Sequence, residues 1–324
     1  MDYVFMGKEL WMWLVFLGVV ISLLVLDLGV LHKKNKEIGV RESLLMSVFY
    51  ISMGLLFGGW IWYSLGETSA KEYVTGFLVE KTLALDNIFL ISLIFSFFAI
   101  PKKYQHRVLF WGILGVIILR AIMIGLGATL VEQFSWVMYV FAVFLIITGI
   151  KMFFMVDSQP DIANNPVLKL MKKYLRITTD LHKENFTVKK LNPITGKIQM
   201  WFTPLFAALV LIEIIDLIFA VDSVPAIFTI TKDPYIVYTS NIFAILGLRA
   251  LYFALDAVIH KFKYLKYALA FVLVFIGSKV FIADLFGLEK FPASISLGVT
   301  FGLILGGVLF SLYMTRRETH LVSK

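Results

Sequence analysis

Residues 201–230 read WFTPLFAALVLIEIIDLIFAVDSVPAIFTI, a long apolar run that contains the acidic residues Glu213, Asp216 and Asp222. A helix needs roughly 20 apolar residues to cross the hydrocarbon core of a bilayer, so this run is long enough to span it. The rest of the chain has the same character, since 60% of its 324 residues are hydrophobic and only 16% are charged. Soluble globular proteins are nearer half apolar and a quarter charged. The composition therefore predicts an integral membrane protein.

Working outward from this run, the chain contains nine stretches that are long and apolar enough to span a bilayer: 10–31, 44–65, 73–100, 108–130, 134–156, 201–230, 236–257, 265–286 and 292–314. We expect an all-α membrane protein of about nine transmembrane helices. Its parts are two N-terminal helices (1–66), a first three-helix unit (67–156), a loop (157–200), a second three-helix unit (201–287) and a final helix with its tail (288–324). The first ten residues lack a basic stretch, so we expect a retained first helix rather than a cleaved signal.

The basic residues are divided unevenly between alternate loops. Of the 30 Lys and Arg residues, four lie well inside the spans (Lys81, Arg120, Arg249, Lys279), and four lie in the loops of one side (Lys8, Lys71, Lys232, Lys290). The remaining 22 lie on the other side, with Lys151 and Lys266 among them at span ends. Cytoplasmic loops carry an excess of Lys and Arg. This asymmetry predicts an N-terminus outside the cell and a C-terminus in the cytoplasm. Because the basic residues lie in short loops between spans, the net charge of +8 does not indicate nucleic-acid binding.

The polar segment 157–200 contains two further patterns. Residues 164–177 have basic residues on one side and Leu168, Met171 and Leu175 on the other, which is typical of an amphipathic helix on a membrane surface. Residues 184–200 alternate weakly around Asn192–Gly196, which indicates a hairpin turn. A solvated linker is an equally good interpretation of both.

Two regions of the chain repeat one pattern. Glu80-Lys-Thr-Leu-Ala-Leu-Asp86-Asn87 and Asp216-Leu-Ile-Phe-Ala-Val-Asp222-Ser223 each have an acid, five residues, then Asp and a small polar residue. Leu-Arg-Ala follows in the next span (119–121 and 248–250), and Gly-x-Lys in the span after that (149–151 and 277–279). The third and sixth predicted helices cross in opposite directions. We therefore predict two inverted three-helix repeats, helices 3–5 and 6–8, as in alternating-access transporters. The alternative is a simple duplication without transport.

The predicted spans contain more acids than bases. Eight acids fall within them: Asp27, Glu80, Asp86, Glu213, Asp216, Asp222, Asp256 and Asp284. Each charge at the bilayer centre costs about 2.5–3.5 kcal/mol on insertion scales, so such residues need a partner or a ligand. The four bases that lie well inside the spans can neutralise at most half of these acids. A bound cation or protonation must satisfy the rest.

The chemistry of the available donors restricts the cation. The repeated motifs offer carboxylates, the amide of Asn87 and the hydroxyl of Ser223, which are hard oxygen donors. All five His residues map to predicted loops or the tail, and the chain has no Cys. A site without imidazole or thiolate disfavours copper, nickel and zinc. It suits Mn²⁺, Mg²⁺ or Ca²⁺, and chemistry alone does not choose among them.

The acids of span 201–230 are not all on one helix face. Glu213 and Asp216 are three residues apart and share a face, whereas Asp216 and Asp222 point about 120° apart on an ideal helix. They converge on one ion if the helix is broken between them, and Pro225 is a cause of such a break because it cannot donate to the carbonyl of Val221. An ordinary proline kink is the alternative.

The remaining charged residues have supporting roles in this interpretation. Arg120 and Arg249 are expected to be structural counter-charges to the carboxylates. Lys81 is either a local partner of Glu80 or a displaceable charge that takes the place of the ion in the empty state. Asp27 is an undecided further contributor.

Several of these motifs together resemble the TerC family of bacterial integral membrane proteins, in particular its Alx-like branch. They are Val79-Glu80-Lys81 through Asp86-Asn87, Glu213-Ile-Ile-Asp216, Phe219-Ala-Val-Asp222-Ser223-Val-Pro225-Ala226-Ile227, and Ser240-Asn241 through Leu248-Arg249-Ala250. The resemblance implies a nine-helix inner-membrane protein linked to manganese export. The metal site that it implies consists of Glu80, Asp86, Asn87, Glu213, Asp216, Asp222 and Ser223. Some members are described as redox modulators, a role that the absence of Cys and of a nucleotide fingerprint does not support.

We therefore expect an inner-membrane divalent-cation transporter, a proton-coupled manganese exporter, with Ca²⁺ and Mg²⁺ as less favoured substrates. The expected partners are the lipid bilayer and the cation, with no nucleic acid, no prosthetic group and no enzymatic activity. The alternative is a non-transporting scaffold of a tellurite or alkaline-pH stress response. In that case loop 157–200 would dock a cytoplasmic partner.

Overall fold

The computed structural model describes residues 4–26, 39–134, 136–154, 162, 165–191, 197–255, 264–288 and 291–322, without the side chains of Val40, Leu85, Asp86, Phe89, Asp222 and residues 316–322. Its helices are α1 (Leu10–Leu26), α2 (Val40–Leu65), α3 (Glu67–Phe97), α4 (Lys102–Gln133), α5 (Val137–Phe154), α6 (Pro166–Tyr174), α7 (Pro204–Ile230), α8 (Pro234–Leu246), α9 (Leu248–Leu255), α10 (Leu265–Leu285) and α11 (Ala293–Val322). Two small antiparallel hairpins complete it, one of β1 (Val4–Phe5) with β2 (Lys8–Glu9) and one of β3 (Thr187–Leu191) with β4 (Ile198–Phe202).

Each of the nine predicted spans coincides with helical structure, with α8 and α9 together occupying the seventh. Within the described residues, seven helical segments are long and apolar enough to cross a membrane, and α1 is a shorter apolar helix. The 31-residue α3 carries charged residues along its length. The prediction of an all-α membrane protein is confirmed.

Helix α8 lies at the centre of the helix assembly. Asp233 caps it by accepting a hydrogen bond from the amide of Tyr235, and Pro234 occupies its first turn. Every side chain from Tyr235 to Leu246 except Tyr238 is buried. By contrast, α11 exposes large apolar side chains such as Leu309 and Phe310, which a bilayer would cover. The predicted site residues on α3, α4 and α7 lie on helices that pack around α8.

Two pairs of helices run antiparallel. On α3 and α7, Asn87 contacts Asp216, and Gly76 packs next to Ile227. On α5 and α10, a Cβ added at Gly149 would lie 2.7 Å from the carbonyl oxygen of Ala270. Reciprocally, a Cβ added at Gly277 would lie 2.6 Å from the carbonyl oxygen of Ala142. Small residues allow this close backbone approach within a membrane.

The contact between α5 and α10 uses equivalent positions of the two predicted repeats. Each alanine stands seven residues before the glycine of its own helix, Ala142 before Gly149 and Ala270 before Gly277. Antiparallel courses of α3 with α7 and of α5 with α10 are what inverted repeats require. The inversion of the two units itself stays a prediction.

The prediction of a break in the sixth span is wrong. Helix α7 runs without interruption from Pro204 to Ile230 and contains Pro225. Helices tolerate a proline within a membrane when neighbouring groups satisfy the freed carbonyl. The interruption instead falls at Gly247, between α8 and α9, where sequence reasoning placed none.

The segment between α5 and α7 folds back onto the helices. Asn165 caps α6 by accepting a hydrogen bond from the amide of Val167. Of the predicted apolar face, Leu168 is buried in a cluster with Leu205 and other residues of the helix assembly, Met171 is also buried, and Leu175 is half-buried. The expectation that this face lies on the membrane surface is therefore wrong, because the protein itself covers it.

The predicted hairpin is confirmed in its strands, since β3 pairs with β4 in antiparallel register from Thr187↔Phe202 to Leu191↔Ile198. Its turn, residues 192–196, lies outside the described residues. We call the end of the helix assembly that carries α6 and this hairpin the loop side.

Candidate cation-binding site

Arg120 of α4 links two carboxylates deep inside the helix assembly. Its Nη1 donates to Oε1 of Glu80 on α3 at 2.7 Å. Its Nε and Nη2 donate to the two carboxylate oxygens of Asp216 on α7, at 3.1 and 3.2 Å. This two-pronged geometry matches the planar guanidinium and is stronger than a single contact. Arg120 and Glu80 are each 1% exposed, and Asp216 is 5% exposed.

Amide and hydroxyl groups complete the surroundings of these charges. Ser223 and Asn241 accept from Nη1 of Arg120 at 2.8 and 3.1 Å, and the Asn241 amide donates to Oε2 of Glu80 at 3.2 Å. The amide of Asn87 donates to Asp216 at 3.1 Å. Its oxygen Oδ1 is buried and has no hydrogen-bond partner among the described residues. A buried acceptor of this kind is suited to a donor or a cation that the protein alone does not supply.

The charges of this cluster do not balance. Within the described part of the chain, it holds two carboxylates and one guanidinium, a formal charge of −1. Buried charges are costly unless they are paired, so an excess negative charge favours a further cation or a proton.

A cavity of about 40 Å³ adjoins the cluster. Since roughly 10–15 Å³ of such volume holds one water molecule, the cavity has room for a water or an ion of similar size. Its lining includes the polar residues Glu80, Asn87, Arg120, Thr148 and Ser223 and the apolar residues Leu83, Met152, Phe219 and Leu273.

Glu213 lies one turn from Asp216, nearer to the loop side. Its carboxylate packs over Gly115 of α4, where an added Cβ would lie only 2.6 Å from the carboxyl carbon. A side chain at position 115 would displace the carboxylate from this point. Its Oε2 is buried and has no hydrogen-bond partner among the residues that the structure describes. Glu213 is thus a second acidic position between the cluster and the loop side.

The structure brings together five of the predicted residues: Glu80, Asn87, Asp216, Ser223 and Arg120. The side chains of Asp86 and Asp222, and the whole of Asp27, lie outside its described part. Over the described ranges, no group of three His, Cys, Asp or Glu side chains is arranged to hold a metal ion. Among the described side chains, a guanidinium lies between the two carboxylates.

Lys81 does not take either of its two predicted roles. Its ammonium donates to the carbonyl oxygen of Ala244 at 2.9 Å, beside the interruption at Gly247. Arg120, rather than Lys81, lies between the acids. Arg249 is buried at the start of α9, and its role as a counter-charge stays a prediction.

Three residues of the site were missed by sequence reasoning. Asn241 lay within a motif of the family resemblance but was not assigned a role, although an amide in the apolar run 236–257 is a signal in itself. Thr148 and Met152 line the cavity from α5, a helix on which no site residue was predicted. No motif marks these two, because their position depends on how α5 packs.

One protein family matches most of the chain. The model of the integral membrane protein TerC family matches residues 65–319. An uncharacterized membrane protein of Rickettsia felis is 53% identical over 308 residues, which cover 95% of this chain and 99% of that protein.

More distant relatives match over a similar length. An uncharacterized membrane protein of Myxococcus xanthus is 42% identical over 306 residues, covering 94% of this chain and 93% of its own. A Salmonella typhi protein described as a candidate membrane-bound redox modulator, Alx, is 41% identical over 302 residues, covering 90% of this chain and 91% of its own. No solved structure matches the chain.

Proposed function

The chain belongs to the TerC family of integral membrane proteins, and from this premise we propose that it is a divalent-cation transporter of the bacterial inner membrane. Its proposed substrate is Mn²⁺, which it moves out of the cytoplasm. The manganese assignment and the direction rest on the family resemblance, whereas the cation class rests on the chemistry of the buried cluster.

The observation that carries the proposal is the excess of buried acid around Arg120. A purely structural ion pair needs one carboxylate for one guanidinium, and removing one partner of such a pair costs stability. Here Glu80 and Asp216 share one guanidinium, and the carboxylate of Glu213 lies one turn away. A divalent cation in the adjoining cavity would neutralise the excess.

Arg120 supplies the positive charge when no ion is bound. An incoming cation competes with the guanidinium for the carboxylate oxygens, so ion entry requires at least one of the Arg120 contacts to open. The donors then available are carboxylate oxygens, the free Oδ1 of Asn87 and the hydroxyl of Ser223. These hard donors suit Mn²⁺, Mg²⁺ and Ca²⁺.

Exchange of the ion between the two sides of the membrane is proposed to follow the two helix units. Alternating access in transporters often rests on inverted repeats that move against one another around a central site. The cluster joins α3 and α4 of the first unit to α7 and α8 of the second, so relative motion of the units would change its geometry.

A flux assay with single-acid variants tests the proposal. Glu80→Gln and Asp216→Asn each leave one carboxylate for Arg120, so the charge of the cluster balances and the fold should persist. Mn²⁺ flux in proteoliposomes should nevertheless fall to background, because the cation loses a charged ligand. The matched control is Glu132→Gln, an exposed acid at the end of α4, which should transport at the parental rate.

The same assay separates the proposal from the scaffold alternative. Parental flux from both site variants would refute the central cluster as the ion site. A parental protein that moved no divalent cation at all would favour the scaffold interpretation.

Proton coupling is the second part of the proposal. Metal ligands must be deprotonated, so protons compete with the cation for the same carboxylates. Mn²⁺ flux out of vesicles should therefore rise when the receiving side is made more acidic. Flux that ignored an imposed pH gradient between about pH 6 and pH 8 would rule out coupling through these groups.

Orientation can be tested because the chain has no Cys. We propose that the loop side faces the cytoplasm, in line with its excess of Lys and Arg. A single Cys introduced at Met200, which is 57% exposed on β4, should resist an impermeant thiol reagent in intact cells and react after lysis. Labelling in intact cells would reverse the orientation.

A further inference from the structure

Helix α5 presents two adjacent turns to the cavity beside the carboxylates. Thr148 and Met152 are four residues apart, which places them on one helix face, and both line the cavity with Glu80, Asn87 and Ser223. The close contact of Gly149 with α10 fixes the position of α5 at this level. Thr148 and Met152 are therefore held at the cavity by backbone packing.

The opposing helix offers no such groups. From α10 the cavity is lined by Leu273, and Ile276 of the same helix is buried in the neighbouring apolar cluster. Among the described residues, the sulfur-containing side chain that lines the cavity therefore comes from α5 and not from α10. In a chain with no Cys, a methionine is the softest metal ligand that any such site can contain.

A thioether changes what the cavity can distinguish. Carboxylate, amide and hydroxyl oxygens bind Mn²⁺, Mg²⁺ and Ca²⁺ alike, and Mg²⁺ and Ca²⁺ take oxygen ligands almost exclusively. A transition-metal ion accepts the sulfur lone pair, whereas an alkaline-earth ion gains little from it. One sulfur among hard oxygens therefore favours a transition-metal ion without creating the thiolate or imidazole site that copper or zinc prefers.

We propose that Met152, supported by Thr148, is the residue that makes this site prefer a transition-metal ion over Ca²⁺ and Mg²⁺. The inference rests on the proposed cation transport and adds to it the basis of selectivity. A methionine also fills irregular apolar gaps, and Met152 does pack against the cluster that contains Leu273. The proposal therefore has to be tested with a variant that keeps the volume and removes only the sulfur.

Met152→Leu is that variant, because Leu and Met exchange with little cost in packing. Its control is Met138→Leu, a buried methionine on the same helix in a different apolar cluster. Mn²⁺ and Ca²⁺ are titrated separately onto the purified protein in proteoliposomes, and the ratio of the two affinities is calculated. Replacing a residue that supports a metal site typically lowers metal affinity roughly 10–100-fold. We therefore expect the ratio of Mn²⁺ affinity to Ca²⁺ affinity to fall about tenfold in Met152→Leu. It should be unchanged in Met138→Leu.

X-ray absorption at the manganese edge gives a second readout that does not depend on a variant. Any sulfur neighbour of bound Mn²⁺ must come from a methionine, because the chain has no Cys. We expect one sulfur neighbour in the parental protein and none in Met152→Leu.

The outcomes separate the two proposals. Parental transport of Mn²⁺ with an unchanged affinity ratio in Met152→Leu, or with no sulfur neighbour at the metal, would overturn the role of Met152 and leave the transport function intact. A parental protein that bound neither Mn²⁺ nor Ca²⁺ would overturn both.

Discussion

Arg120 of α4 and Lys81 of α3 are two cations inside the helix assembly, and they make different contacts. Arg120 is fully buried and shares its guanidinium between the carboxylates of Glu80 and Asp216. Lys81 is partly buried, and its ammonium donates to a backbone carbonyl beside the interruption of α8 and α9 at Gly247. In a continuous helix the carbonyl of Ala244 would accept from the amide of Leu248, and the interruption falls between these two residues.

The difference shows that the helix face decides the partner of a charge. Glu80 and Lys81 are neighbours in sequence, but successive residues of a helix point about 100° apart. Glu80 therefore reaches Arg120 of α4 and Asn241 in the middle of α8, and Lys81 reaches the carbonyl of Ala244 at the end of α8. One position belongs to the Arg120 cluster, and the other satisfies a carbonyl at the interruption of a helix.

The largest effect is expected from removing the Arg120 charge. Arg120→Gln leaves two buried carboxylates without a counter-ion, and breaking a buried pair costs about 3–5 kcal/mol. The variant should lose most of its folded fraction in detergent, as measured by size-exclusion chromatography after heating. Lower pH, which protonates the carboxylates, or an added divalent cation should partly restore the folded fraction.

Two further variants sharpen this prediction. Arg120→Lys keeps the charge but cannot form the fork to Asp216, so its stability should lie between parental protein and Arg120→Gln. Adding Glu80→Gln to Arg120→Gln removes one excess carboxylate and should recover part of the loss. If the double variant were less stable than Arg120→Gln, the charge imbalance would not be the cause.

A smaller effect is expected from Lys81. Lys81→Met keeps much of the volume and removes the donor to the Ala244 carbonyl, and an unsatisfied buried polar group costs about 1–3 kcal/mol. Thermal stability in detergent should fall, while the affinity for Mn²⁺ stays near the parental value. A strong loss of Mn²⁺ affinity with unchanged stability would show instead that Lys81 acts at the ion site.

The smallest effect is expected from Pro225. Because α7 is already continuous through this residue, Pro225→Ala only adds an amide donor for the carbonyl of Val221. We expect a change in stability of no more than about 1 kcal/mol and Mn²⁺ flux close to parental. Abolished flux in a stable Pro225→Ala protein would mean that a break in α7 is needed at some stage of transport.

The sequence predicted which residues belong to the site better than it predicted which of them contact one another. Glu80, Asn87, Asp216 and Ser223 were identified from the repeated motifs, and all four meet in the structure. Lys81 was predicted to partner Glu80 or to stand in for the ion, and this was wrong because the two side chains leave α3 on different faces. Asn241 was missed although an amide in an apolar run is a local signal, and Thr148 and Met152 were missed because no local pattern marks them. The proximity of all three to the site arises from the packing of α8 and α5.

Length and polarity alone determined the membrane-spanning architecture, because the thickness of the hydrocarbon core fixes how many apolar residues a helix needs. They also determined that acids within the spans need compensation, since the cost of a buried charge does not depend on the fold. The sequence named Arg120 and Arg249 as counter-charges, and only the tertiary structure decided that Arg120 joins Glu80 to Asp216. It also decided that the apolar face of α6 lies on the protein rather than on lipid, and that Gly247 rather than Pro225 interrupts a helix. The physical reason is that a sequence records which faces are apolar or charged, whereas their partners depend on distances between helices that are far apart in the chain.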